Sequence, residues 1–128
     1  MPILLLLDTN ALIYATAGST KLTSRAADAI RDPSNELVAS AISVFEVGTK
    51  HRKGKLPVPA ATFRHACLGL GVRFRAASDT ILVRASELDW DNRDPWDRVI
   101  AATALALEAP VVTSDGAFDA VAELMRLW

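Results

Sequence analysis

Four carboxylates stand where a folded chain could gather them. Asp8 closes the apolar run "ILLLL" (3–7), and Glu46 lies in "SVFEVG". Asp97 follows "DPW", and Asp115 closes "VVTSD". Two carboxylates about 5 Å apart repel by roughly 1–3 kcal/mol, depending on the effective dielectric. Four in one crevice therefore need an offsetting charge. Oxygen ligands and water suit Mg²⁺ or Mn²⁺, and the Cys and His partners favoured by zinc are missing from these stretches. Each acid also has a purely local explanation. Asp8 can cap the helix that starts at "NALIY". Glu46 follows Ser43 by three residues, a capping-box spacing. Asp94 can cap the helix that begins at Pro95, with Asp97 as a partner of its dipole. Asp115–Gly116 can be a turn. Capping and metal binding are compatible, because a capping oxygen can face the same crevice.

The elements around these acids alternate. "ILLLL" suits a strand buried on both faces, and "NALIYATA" has helical spacing. "TSRAADAIRD" (23–32) reads as a helix that Pro33 helps to end, and "ELVAS" (36–40) as a second strand. "ISVFEVGTKHRKG" reads as a helix stopping near Gly54, and "AATFRHACLGLG" as a helix ended by Gly69 and Gly71. "VRFRAAS" alternates apolar with basic residues, as a strand near the sheet edge does. "DTILVRASELDW" and "DPWDRVIAATALALEA" (94–109) are helices, the second ended by Pro110. "VVTSD" is another buried strand, and the tail is expected to form a helical turn and a short strand at "MRLW". Strand–helix alternation of this kind predicts a parallel sheet of four to five strands with helices on both faces, in one domain spanning 1–128. In such a sheet functional groups collect beyond the carboxyl ends of the strands, which is where all four acids fall.

Composition narrows the function classes. The 128 residues are 51% hydrophobic and 23% charged, which excludes a disordered chain. No apolar run approaches the roughly 20 residues needed to span a bilayer. The N-terminal run has neither a basic flank nor an A-x-A-type site, which argues against a signal peptide. Cys67 is the only cysteine, so no disulfide framework can form and a reducing, cytoplasmic setting is expected. A net charge of −1 is too low for a protein that merely coats nucleic acid. The one dense basic run, "KHRKGK" (50–55), could flank the acids and hold phosphates through Lys50, Arg52, Lys53 and Lys55, or could be a solvated helix end at the negative pole. Arg98 is a further basic candidate for contact with phosphates. Tyr14, Phe45, Trp90, Trp96 and Trp128 could leave apolar surface for partners, or pack in the core.

"LLLDTNALI", "SVFEVGTKHRKGKL" and "DPWDRVIAATALALEAPVVTSD", with the "AF" that follows, resemble the PIN-domain family, and most of all its VapC-type toxins of bacterial toxin–antitoxin pairs. The resemblance runs from Ile3 to Trp128. It implies a three-layer α/β/α sandwich and a ribonuclease that depends on Mg²⁺ or Mn²⁺. The family's acidic positions fall on Asp8, Glu46, Asp97 and Asp115, the last being the most variable, and its hydroxyl on Thr113 or Ser114. Thr9 and Asn10 could bond to a ligand or phosphate, or serve the turn. Many relatives carry histidine where this chain has Asn92. The resemblance also implies a small VapB-type antitoxin that blocks the acidic crevice, and a homodimer. Hydrolysis is expected to leave a 5′-phosphate and a 3′-hydroxyl. The alternative is a non-toxin PIN domain in RNA processing, or one that binds RNA or protein without cutting. A receiver-type signalling domain would need a lysine after the last core strand, and a haloacid-dehalogenase-like phosphatase an aspartate at position 10. The chain has neither.

Overall fold

The computed structural model describes residues 3–128. Five strands form one sheet in the order β3-β2-β1-β4-β5, and every pairing is parallel. They are β1 (Leu4–Leu7), β2 (Glu36–Ser40), β3 (Arg73–Arg75), β4 (Val111–Val112) and β5 (Arg126–Leu127). The helices are α1 (Thr9–Ala17), α2 (Ser24–Arg31), α3 (Ile42–Arg52), α4 (Ala60–Gly69), α5 (Asp79–Glu87) and α6 (Pro95–Leu107). The apolar run of β1 is central because both of its faces are covered. Leu5 and Leu7 enter one cluster with Leu12, Val47, Phe63 and Cys67. Leu6 enters the other with Val38, Ile100, Ala104 and Val111. Helices therefore lie on both sides of the sheet, as the strand–helix alternation predicts.

From β1 the chain winds outwards one way through β2 and β3, and the other way through β4 and β5. The order reverses between β1 and β4, the switch point at which sheets of this kind form a crevice beyond the carboxyl ends of their strands. The residues that follow these two strands, Asp8 and Thr113–Asp115, stand at that point.

Local boundaries differ from the sequence expectation: α5 stops at Glu87 short of "LDW", β3 and β4 pair only over Arg73–Arg75 and Val111–Val112, and three further differences have a physical reason on view. The last helical turn is a 3₁₀ helix over Gly116–Ala120, ahead of the expected position, because the Asp115 carboxylate accepts a hydrogen bond from the Ala117 amide at 2.9 Å. Only Arg126–Leu127 then pair as β5. Helix α6 stops at Leu107, where Glu108 takes a left-handed conformation (φ 52°) and turns the chain before Pro110. The third difference is a correction. Ser43 and Glu46 form no capping box, since α3 has Ala41 at its N-cap and no side-chain cap. The Ile42 amide bonds instead to the Ser40 hydroxyl at 3.1 Å. Glu46 lies in the second turn, beyond the reach of the helix dipole's positive end.

Candidate active site

Asp8 is the N-cap of α1: its Oδ1 accepts from the Ala11 amide at 2.8 Å, and its own amide donates to the Val112 carbonyl at 3.1 Å. β4 therefore fixes the backbone of Asp8 and α1 fixes its carboxylate. Only 6% of the residue is exposed. The next residue, Thr9, is buried as well. Its hydroxyl donates to Glu46 Oε1 at 2.6 Å and lies 2.9 Å from the Ser43 hydroxyl. Thr9 thus ties the start of α1 to α3 across 37 residues and orients Glu46. The other Glu46 oxygen forms an ion pair with Lys50 one turn later. Ser43 is the residue whose part the sequence did not reveal. Its spacing from Glu46 signals a cap, and nothing local points to Thr9.

Asp97 lies in the first turn of α6, where Asp94 is the N-cap through Trp96 N (2.8 Å) and Asp97 N (3.4 Å). The Asn92 amide donates to Asp97 Oδ2 at 3.0 Å, so the residue that departs from the family pattern still meets this acid. Asp115 is exposed, and its amide donates to the Thr113 hydroxyl at 3.0 Å. Of the two candidate hydroxyls, Thr113 is fully buried beside Asp8 and Ser114 is exposed. Asn10 is exposed on the first turn of α1.

The electrostatics show which acids share a space. Burial, above all, pushes the Asp8 carboxyl up to about 6; Glu46 and Asp115 add to this, while the Thr113 side chain and the Ala11 amide oppose it. Burial likewise lifts Asp97 to about 6, with Asp94, Asp115 and Glu46 adding and Asn92 opposing. The same two carboxylates, Glu46 and Asp115, act on both. Glu46 and Asp115 thus link Asp8 and Asp97, which come from separate stretches of the chain.

A pH dependence follows. Between about pH 4 and 6, folded Asp8 keeps a proton that the unfolded chain has released, so stability falls as pH rises through this window and levels off above it. The drop expected from Asp8 is roughly 2–3 kcal/mol. Urea unfolding in EDTA at pH 4.5 and pH 7.5 checks it. The exposed Asp32 and Asp119, whose carboxyls are held below the usual range by Ser34 and Arg126, oppose the trend only at lower pH.

The donor set fits a hard divalent cation: it contains only carboxylate and hydroxyl oxygens, and it holds two carboxyls whose ionised forms lack compensation. Among the described residues no group of three or more Asp, Glu, His or Cys side chains is placed to hold a metal ion together. Mg²⁺ tolerates this, because it keeps several waters and needs only one or two direct carboxylates.

The basic candidates divide. Arg52, Lys53 and Lys55 are exposed around the end of α3. Lys50 is half-buried and stands on Glu46. Arg98 is a correction, because its guanidinium turns inward. Nε donates to the Ala85 carbonyl (2.9 Å), Nη1 to Trp90 and Asn92 (both 2.8 Å), and Nη2 to Leu88 (2.7 Å) and Ser86 (3.5 Å). With its donors committed to backbone carbonyls, Arg98 holds the segment from α5 to Asn92 and is not free to meet RNA.

An open parallel sheet with acids at its switch point defines an α/β protein with an acidic crevice. Residues 5–124 match the PIN domain family, and the chain belongs to it. No curated protein matches the chain by sequence. Among solved structures, the chain is similar in fold to VapBC2 from Rickettsia felis bound to a DNA fragment from its promoter, with a TM-score of 0.68, 18% identity and 97% of each chain covered. It is also similar to a toxin–antitoxin complex from Klebsiella pneumoniae, with a TM-score of 0.67, 21% identity and 94% of each chain covered. A third likeness is to FitAB bound to a DNA fragment, with a TM-score of 0.64 and 20% identity over 95% of this chain and 92% of that one. No described helix is long and apolar enough to cross a membrane.

Proposed function

We propose that this PIN domain is a Mg²⁺- or Mn²⁺-dependent endoribonuclease and the toxin of a toxin–antitoxin pair. The observation that carries the reading is that Glu46 and Asp115 both act on Asp8 and on Asp97, whose carboxyls burial lifts to about 6. A divalent ion held there supplies charge neutralisation and an acidified water next to a phosphodiester. Asp8 and Asp97, both ionised at neutral pH, are the main ligands, and Glu46 completes the set once Lys50 yields it. Thr9 fixes the Glu46 carboxylate by its 2.6 Å bond. Asn92 does the same for Asp97. Thr113 holds the turn that presents Asp115, which orients the attacking water or a second ion. Arg52, Lys53 and Lys55 receive the RNA backbone.

The toxin–antitoxin complexes similar in fold support an antitoxin as partner; in this proposal it is small and covers the crevice with a basic side chain. A homodimer in the cytoplasm completes the proposal. The test is cleavage of single-stranded RNA by the purified chain with Mg²⁺, with Mn²⁺ and with EDTA. Cleavage that EDTA abolishes and either metal restores is expected. Equal cleavage in EDTA would refute metal dependence. One arrangement favours a second reading: Lys50 already neutralises Glu46, and among the described residues no three acids are placed to hold a metal ion together. A PIN domain that binds RNA or protein without cutting matches that arrangement. It would show no metal-dependent cleavage and no growth arrest on expression.

A further inference from the structure

Two of the crevice acids are each preceded by an aromatic residue, Phe45 before Glu46 and Trp96 before Asp97. The two rings come from α3 and α6 and meet edge to face, with centroids 5.3 Å apart and planes at 82°. Phe45 is nevertheless 65% exposed, and it is the one aromatic ring among the exposed large apolar side chains of the described residues. Leaving such a side chain in water forgoes roughly 1.5–3 kcal/mol of burial, so packing within this chain does not account for it. Phe45 also opens a groove of about 900 Å³ that runs along α3 past Val44, Gly48 and Thr49 to Arg52 and Lys53. The groove has an apolar floor and a basic far end, and Phe45, the neighbour of Glu46 in sequence, stands at its near end. From Phe45 to Arg52 is about 10 Å along the helix axis.

We infer that the Phe45–Trp96 pair is a stacking platform for a nucleobase of single-stranded RNA, and that Arg52 and Lys53 hold the adjoining phosphate. The inference rests on the nuclease reading for its choice of ligand and adds to it the residues that grip the strand. The chemistry favours this occupant. A nucleobase brings a flat π-face to the ring, and its phosphate brings negative charge to the basic end. A purely apolar partner would leave Arg52 and Lys53 unmatched. Phe45 and Trp96 are positioning residues here, since they touch the substrate beside the scissile bond and take no part in the chemistry.

The experiment measures binding without cleavage. A fluorescein-labelled single-stranded RNA octamer is titrated with the protein in EDTA, for the parent, Phe45→Leu and Phe45→Tyr, and repeated with an abasic octamer. Phe45→Leu is expected to weaken RNA binding about tenfold, within the range for loss of one base–aromatic stack. Phe45→Tyr keeps the ring and is expected to stay within about threefold. The abasic strand should bind weakly and ignore the substitution. Because Phe45 is exposed, the Phe45→Leu chain should melt within about 2 °C of the parent. An RNA affinity for Phe45→Leu within twofold of the parent overturns the platform. The same affinity combined with a changed oligomeric state also overturns it and assigns the ring to a second copy of the chain. The two readings fail separately. Metal-dependent cleavage that ignores Phe45 sinks the platform alone, whereas Phe45-dependent binding without cleavage sinks the nuclease alone.

Discussion

Asp8→Asn is expected to abolish RNA cleavage and, in the same molecule, to make the metal-free protein more stable. Asparagine keeps an oxygen for the Ala11 amide, so α1 keeps its cap. It removes a negative charge from a residue only 6% exposed, whose ionised form is disfavoured by burial and by Glu46 and Asp115. At pH 8 without metal, the gain should be about 1–2 kcal/mol, or roughly 5 °C in melting temperature. The activity loss should be at least about 100-fold, equivalent to some 2.7 kcal/mol of transition-state stabilisation. A stabilised but inactive variant is the mark of a carboxylate kept for binding a cation. A purely structural N-cap would show the opposite pattern, with stability lost or unchanged and activity following it. Thermal melts in EDTA and cleavage rates in Mg²⁺ read the two effects independently.

Arg98→Ala is expected to cost about 3–5 kcal/mol and lower the melting temperature by roughly 10–15 °C. Its guanidinium supplies donors to five carbonyls from Ala85 to Asn92, including those at the end of α5. Deleting it strands these groups in partly buried positions, where each unmet bond is costly. Arg98→Lys should recover less than half of the loss, because an ammonium is compact and lacks the planar fork. Asn92 is one of the residues held, and its amide donates to Asp97, so activity should fall even at temperatures where the variant stays folded. Urea unfolding curves for the three proteins decide the matter. A loss below about 1 kcal/mol for Arg98→Ala would show that water replaces the clamp.

Long-period signals in the sequence carried the fold. The run ahead of Asp8 suited a buried strand and "ELVAS" read as a second strand, and β1 and β2 form over Leu4–Leu7 and Glu36–Ser40. The charged, alternating "VRFRAAS" supplies the edge strand β3. The end of the chain was less legible, because a strand of two residues has no periodicity to read. In the crevice, capping chemistry placed Asp8 and Asp94 correctly, since a cap is a local device, whereas the turn expected at Asp115–Gly116 is the N-cap of a 3₁₀ helix. Ser43 and Glu46 show the limit of such reasoning. A three-residue spacing signals a capping box, but the same spacing puts two inward-facing side chains on one helix face. The partner that decides between them, Thr9, is 34 residues away from Ser43. Arg98 misled for a related reason. Its partners are backbone carbonyls, which no residue type announces.

The acidic crevice is tested most directly by calorimetric titration of the metal-free protein with Mn²⁺, in the parent and in Asp8→Asn/Asp97→Asn. The parent should bind the ion with a saturable heat and melt at a higher temperature once loaded, because the ion offsets the two uncompensated carboxylates. The doubly substituted chain, which keeps the Asp8 cap and the Asn92 neighbourhood, should give no saturable heat and no shift. Equal binding by both proteins would contradict a metal site built on Asp8 and Asp97.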